Sequence, residues 1–398
     1  MKKLFAIAFC ALLAAVAAEA KTYYVDASRP NNNGNGRSLK AAKKTIQAAI
    51  NLAKKGDTIL VYPGTYAPIR TNDKKITVKS AKGASKTKIV KPDEQQDVAL
   101  AKLGKPWTKT YYIPTDGTTG TYTSPAYAKG KNSVLCGFLL DGLNRESHWN
   151  DLIGISGGIA KSCTIQRLGQ YDREHSYGGG LAILNASLTN CKIRKNYGVI
   201  SETSVFNRCK ITDNYDDDRA HALEDSRLYN CLIAGNKYKG YEGNKYNDYL
   251  GTGSLFSSST AVNCTITKNY TYRGDNKEAA RFATQTKFHN CILRNNYRQT
   301  KKWDWDNKKQ ASVLVFGAKK VHNVDSDTAR NVYGRTYKDN RDPKFADEKK
   351  GNCKLKKGSP CINKGTLTAS QKKKLGSRDL AGKKRIRGKA VDMGCYEY

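Results

Sequence analysis

Arg219, His221 and Arg281 are residues of this chain whose types and spacing could do chemistry together. An imidazole or a neighbouring lysine within reach of a C–H bond beside a carboxylate can take that proton. A guanidinium over the carboxylate neutralises the charge that otherwise keeps the proton weakly acidic. In this arrangement His221 or a nearby lysine is the candidate base, and Arg219 or Arg281 the candidate neutraliser. Tyr215, Lys239, Tyr241, Lys245, Tyr249, Tyr272 and Arg273 surround them in sequence. They could grip a wet, anionic, ring-bearing substrate, because tyrosine packs its ring while its hydroxyl bonds outward. Asp216, Asp217 and Asp218, with Glu202, Glu224 and Asp225 nearby, group the hard oxygen ligands that Ca2+ takes. The bland alternatives are a solvated basic strand face and a solvated acidic turn.

Chemistry at these positions requires elements that hold them in register, and the chain supplies them as repeats. Asn190-Cys191-Lys192-Ile193-Arg194-Lys195-Asn196 returns as Asn230 to Asn236, Asn263 to Asn269 and Asn290 to Asn296. Looser copies begin at Arg208 and Ser162. Each copy predicts a short strand, with the Cys and the aliphatic residue two places later on one face. The Asn five residues after the Cys suits a turn, because it tolerates left-handed backbone and bonds its neighbours. Successive cysteines stand 18 to 33 residues apart. A constant coil carrying insertions of variable length on one side accounts for that spread.

A second strand precedes each Cys strand. Nine and eleven residues before the cysteines stand small or apolar residues, including Ala182, Ile200, Ala222, Leu255 and Phe282, which predicts that they point inward. The residues ten and twelve before then point outward, among them Leu181, Val199, Arg219, His221, Ser254 and Arg281. Coils stack about 4.8 Å apart, so His221 and Arg281, two coils away, are expected roughly 10 Å apart. Tyr197, Tyr215, Tyr270 and Tyr297 follow the Asn column and form either a sugar platform or a structural stack. Tyr171-Asp172-Arg173-Glu174-His175-Ser176-Tyr177 and Trp303-Asp304-Trp305 lie on insertions that could line the same groove.

The ends differ from the repeats. Lys2 and Lys3 precede an apolar run from Leu4 to Ala17 that is too short to span a bilayer. Ala18-Glu19-Ala20 then reads as a signal-peptidase site, with cleavage after Ala20. The expected location is secreted, periplasmic or cell-surface, without membrane insertion. Ile46, Ala49, Ile50 and Ala53 share one helical face, a short helix suited to capping the open end of a solenoid. Residues 21–325 are read as the solenoid with this cap, and residues 326–398 as an irregular C-terminal cap of the same domain, in a monomer.

Lys and Arg number 70 against 35 Asp and Glu, a net charge of +35. Such a field draws in polyanions. Export and the lack of a nucleic-acid motif argue against nucleic acid as the partner. The eleven cysteines suggest disulfides at first, but six fall on one repeat position and read as small buried apolar groups. A pair among Cys353, Cys361 and Cys395 stays open.

Tyr23-Tyr24-Val25-Asp26, Thr45-Ile46-Gln47-Ala48-Ala49-Ile50, Gly56-Asp57-Thr58-Ile59 and Pro63-Gly64-Thr65-Tyr66, together with the repeats, resemble the pectate-lyase-like right-handed parallel β-helix superfamily. The end resembles proteins with a choice-of-anchor Q domain, through Asp342-Pro343-Lys344-Phe345, Gly358-Ser359-Pro360-Cys361-Ile362-Asn363, Asp379-Leu380-Ala381-Gly382 and Val391-Asp392-Met393-Gly394-Cys395. The resemblance implies an all-β fold, a right-handed parallel β-helix. It also implies action on acidic polysaccharide, either as a lyase, often with Ca2+, or as a non-catalytic glycan-binding adhesin. No catalytic role carries over, because the superfamily's lyase motif does not map onto this chain. A glycosidase would need two facing carboxylates, and the outward positions named above offer none.

Overall fold

The computed structural model describes residues 19–91, 98–104, 133–144, 152–169, 180–216, 221–240, 254–273, 281–299, 315–317, 320–322, 324–326 and 341–398. The chain winds as a right-handed parallel β-helix. The described strands collect into three long parallel sheets of eleven, ten and nine strands, a short parallel sheet of four and one antiparallel pair. One bare coil shows the plan. Ser187–Thr189 lies in the eleven-stranded sheet, Lys192–Arg194 in the ten-stranded sheet and Gly198–Glu202 in the nine-stranded sheet. Eighteen residues on, Val205–Asn207 pairs in parallel with Ser187–Thr189.

The predicted ladders fill the interior. Cys163, Cys191, Cys209, Cys231, Cys264 and Cys291 are at most 1 % exposed and carry no disulfide. Each thiol donates to the carbonyl two residues back, at 3.3–3.5 Å. Burial pushes the Cys163, Cys231, Cys264 and Cys291 thiols well above the ordinary range, so they pack as apolar groups rather than reactive thiolates. Ile165, Ile193, Ile211, Ile233, Ile266 and Leu293 stack beside them.

The Asn ladder is buried, and its bonds run from coil to coil. Nδ2 of Asn196, Asn214, Asn236 and Asn269 donates to Oδ1 of the next Asn at 2.8–2.9 Å. The left-handed backbone is elsewhere. Lys195, Asp213, Gly235, Lys268 and Asn295, one place earlier, hold positive φ. So do Asn190, Asn230, Asn263 and Asn290, immediately before the cysteines. The expected left-handed turn at the later Asn is therefore corrected: that amide serves as a cross-coil bridge, and its neighbour takes the turn.

The N-terminal helix, Ile46–Leu52, forms as expected. Thr45 Oγ1 accepts the Ala48 N–H, and Ile46, Ala49, Ile50 and the capping Ala53 pack into the core. The C-terminal region departs from the expected end cap. Much of it lies along the flank of the later coils, where the ten- and eleven-stranded sheets meet. Asn207, Asn230, Asn263 and Asn290 donate from Nδ2 to the carbonyls of Lys374, Leu375, Asp392 and Thr366. Leu232 and Ile292 join one apolar cluster with Phe345, Cys353, Leu355, Cys361, Met393, Cys395 and Tyr396. Gly394, at φ +85°, passes so close to Thr265 that a Cβ would stand 2.7 Å from its hydroxyl. The physical reason for this placement is written in the repeats. The residue after each Cys faces outward. It is exposed Lys192 and Lys210 in early coils, but Leu232 and Ile292 in later ones, which require a cover.

Candidate functional site

The outer face of the nine-stranded sheet carries the predicted column. His221 opens the strand His221–Glu224, whose Ala222 and Leu223 are fully buried and fix its direction. His221 pairs with Ser254 one coil on. The pairing of Phe256 with Ala283 continues that register and sets Arg281 opposite Ser254. Toward the N-terminus the same register sets Val199, Leu181 and Ile153 in line.

His221 is half-buried, and its Nδ1 lies 2.7 Å from Ser254 Oγ. The Ser254 hydroxyl donates to the Phe256 carbonyl at 3.1 Å. The His221–Ser254 contact ties the imidazole to the neighbouring coil, and the ring nitrogen donates or accepts according to its tautomer.

The outward expectation holds only in part. Leu181, Leu184 and Val199, with Ile153, form an apolar cluster apart from the main core, so they face away from it. Leu181, Leu184 and Val199 are nevertheless buried, as is Ser254, and Ile153 is partly buried. Strict alternation also fails along these strands. Ala182 and Ile183 both enter the core, and the ladder skips position 182. The next outward column is therefore Leu184, Glu202, Glu224 and Ser257. Glu202 and Glu224 thus stand directly across from each other on adjacent coils. Counting in twos from the cysteines missed this carboxylate pair, and the skipped residue is the reason.

Beside this face runs the tyrosine column. Tyr197 bridges to Tyr215, then Lys237, Tyr270 and Tyr297 follow in register on the four-stranded sheet. The ring centroids of Tyr197 and Tyr215 are 5.5 Å apart, and those of Tyr270 and Tyr297 5.1 Å. Lys237 Nζ sits 5.9 Å from the Tyr270 ring centre. Five positions at coil spacing span about 19 Å. In the bare coil Tyr197 and Val199 are two residues apart, so the two columns run side by side at about 7 Å.

Asp216 is placed away from both columns. It pairs with Tyr238 and is fully buried, not on an exposed turn. The Tyr238 hydroxyl donates to the Gly198 carbonyl at 3.1 Å, and burial followed by the Asp216 charge pushes that phenol up. Among the described residues, no three His, Cys, Asp or Glu side chains converge on a point that could hold a metal ion. Arg219, Asp217, Asp218, Tyr241, Lys245 and Tyr249 lie outside the described residues, as do residues 171–177 and 303–305. Lys239, Tyr272, Arg273 and Arg281 are placed by their strands: Lys239 pairs with Tyr272, and Arg273 with Gly240.

No helix among the described residues is long and apolar enough to cross a membrane. No family model matches the chain, and no curated protein matches its sequence. Among solved structures, pectate lyase Pel9A aligns over 95 % of this chain and 96 % of its own, at 16 % identity and a TM-score of 0.42. A lacto-N-biosidase from Eubacterium ramulus aligns over 70 % of this chain and 56 % of its own, at 11 % identity and a TM-score of 0.38. The pectin methylesterase PemA from Erwinia chrysanthemi covers 80 % and 94 %, at 12 % identity and a TM-score of 0.30. The stacked parallel sheets give the chain the right-handed parallel β-helix that its sequence resemblance implied.

Proposed function

We propose that this exported protein binds an acidic polysaccharide lengthwise along the tyrosine and His221 columns and cleaves it by β-elimination. The observation that carries the reading is the 2.7 Å contact between His221 Nδ1 and Ser254 Oγ, which anchors the half-buried imidazole at the start of its strand in the nine-stranded sheet. Parallel to it, half-exposed tyrosine rings and Lys237 repeat at coil spacing. The net charge of +35 supplies long-range attraction for a polyanion.

In this mechanism His221 Nε2 takes the C5 proton of a uronate. The C5–H electrons form the C4–C5 double bond, and the glycosidic C4–O bond breaks with its electrons on oxygen, which takes a proton from solvent. Arg281, next in line after Ser254, neutralises the uronate carboxylate, a role shared with Arg219. Tyr215, Lys239, Tyr241, Lys245, Tyr249, Tyr272 and Arg273 hold the flanking sugars. Glu202 and Glu224, in register on adjacent coils, are hard-oxygen donors that suit Ca2+, which would add to the same neutralisation. Asp216 does not join them.

The Glu202–Glu224 pair also favours a second reading, glycoside hydrolysis, in which one carboxyl is acid and the other nucleophile or base. One experiment separates the readings. Polygalacturonate, alginate and glycosaminoglycans are incubated with the protein, with and without a chelator. Absorbance of an unsaturated uronide is followed alongside reducing ends. Both rising together supports elimination, and reducing ends alone support hydrolysis. Tight binding with neither product means a glycan-binding protein and overturns the enzyme reading.

A further inference from the structure

The flank-lying C-terminal segment contains a cavity of about 570 Å3, within the size range of ligand sites. It opens between the strand Asn352–Leu355 and the segments around 362, 383–388 and 392–398. We propose that this cleft is a second binding site for a carboxylate-bearing sugar, separate from the His221 column.

Its charges are sorted by depth. The two acidic residues of the lining, Asp392 and Glu397, are each 3 % exposed. The Asp392 carboxylate accepts the N–H groups of Asn363 at 2.7 Å and Tyr398 at 2.8 Å. Glu397 Oε1 lies 3.1 Å from buried Arg385 Nε and accepts the Asp392 N–H. Both carboxylates are thus consumed by the protein itself. The cations of the lining, Lys354, Lys383 and Arg387, are all exposed. An entering anion therefore meets three positive charges at the mouth and two satisfied carboxylates at the floor.

The chemistry fits a sugar acid more closely than a bare anion. Arg387 commits Nη1 to a main-chain oxygen of Tyr398 at 2.7 Å, which holds the guanidinium in place while its other donors remain for a planar carboxylate. Tyr398 is 46 % exposed and lines the same cleft, offering a ring for a pyranose to rest on. The cleft lies on the flank where the ten- and eleven-stranded sheets meet, whereas His221 stands on the nine-stranded sheet. A polymer held at both gains avidity without any new catalytic group. Only the choice of uronate as ligand rests on the acidic-glycan reading.

The test uses the full mature protein and a tetramer of galacturonate, titrated by calorimetry into wild type, a Lys383→Glu/Arg387→Glu variant and a Lys237→Glu variant. Wild type is expected to show two binding events. The cleft variant loses one of them, weakened by about tenfold or more, while its cleavage of soluble tetramer is unchanged. The Lys237→Glu variant keeps that event and loses the other. If charge reversal prevents folding, Lys383→Gln/Arg387→Gln serves instead. An isotherm left unchanged by the cleft variant overturns the proposal and leaves the His221 reading standing. A single event that survives Lys237→Glu but not the cleft change supports the cleft and counts against the His221 reading. No binding by any protein overturns the cleft as a uronate site.

Discussion

Replacing Asn236 with alanine removes four hydrogen bonds from the centre of the Asn ladder. Its Oδ1 accepts the Asn214 N–H at 3.1 Å and Asn214 Nδ2 at 2.8 Å. Its Nδ2 donates to Asn269 Oδ1 at 2.8 Å and to the Ile211 carbonyl at 3.0 Å. All of these groups are buried. Alanine leaves the Asn214 backbone N–H and one of its two Nδ2 hydrogens without acceptors, the other keeping the Ile193 carbonyl at 3.1 Å, whereas Asn269 Oδ1 keeps the Asn236 N–H at 3.1 Å. An orphaned buried donor costs about 1–3 kcal/mol, so the two together cost about 2–6 kcal/mol. The assay is urea unfolding of the protein by circular dichroism, with exposed Lys237→Ala next door as the control. The variant should lose stability in that range and the control almost none. A loss below about 1 kcal/mol for Asn236→Ala would refute the reasoning, because it would mean the ladder amides exchange for water at little cost.

Three further outcomes follow from the packing. Ile292→Lys places a charge in the seam under the C-terminal segment and should cost about 3–5 kcal/mol. Trypsin should then cut at Lys372 to Lys374 in the folded protein, while Lys192→Leu, in an early coil, leaves the digestion pattern unchanged. Alkylation of the native protein should leave all six ladder cysteines unmodified and label half-exposed Cys136; labelling of the ladder before unfolding would contradict the packing. Burial pushes the Glu397 carboxyl up to about 7. The folded state therefore holds a proton that the unfolded chain releases near its ordinary value of 4.5. This group's contribution is full below that value and is lost as pH rises toward 7. Glu397→Gln should flatten the fall in thermal stability between pH 5 and 7, and an unchanged slope would refute the assignment.

The inward face was legible because each coil repeats it: Cys191, Ile193 and Asn196 have counterparts in later coils, and the helix locks them into columns. The turn was misread for a local reason. Asn is a common left-handed residue, yet here Lys195 and Asp213 take that backbone and the Asn side chain bridges coils. The His221–Ser254 neighbourhood followed from register, but the Glu202–Glu224 pair did not. No pattern of residue types marks the point where Ala182 and Ile183 both turn inward. The flank-lying C-terminal segment had left a signal, the change from Lys192 and Lys210 to Leu232 and Ile292. It is visible only when one outward position is read down the coils rather than along the chain.

The most direct test of the account is the initial rate of unsaturated-uronide formation from polygalacturonate by wild type and by His221→Ala at equal concentration. Loss of a positioned general base predicts a fall of about 10²–10⁴-fold, with polymer binding retained. A His221→Ala protein that forms the product at the wild-type rate would contradict the assignment of the base and, with it, the chemistry proposed for this face.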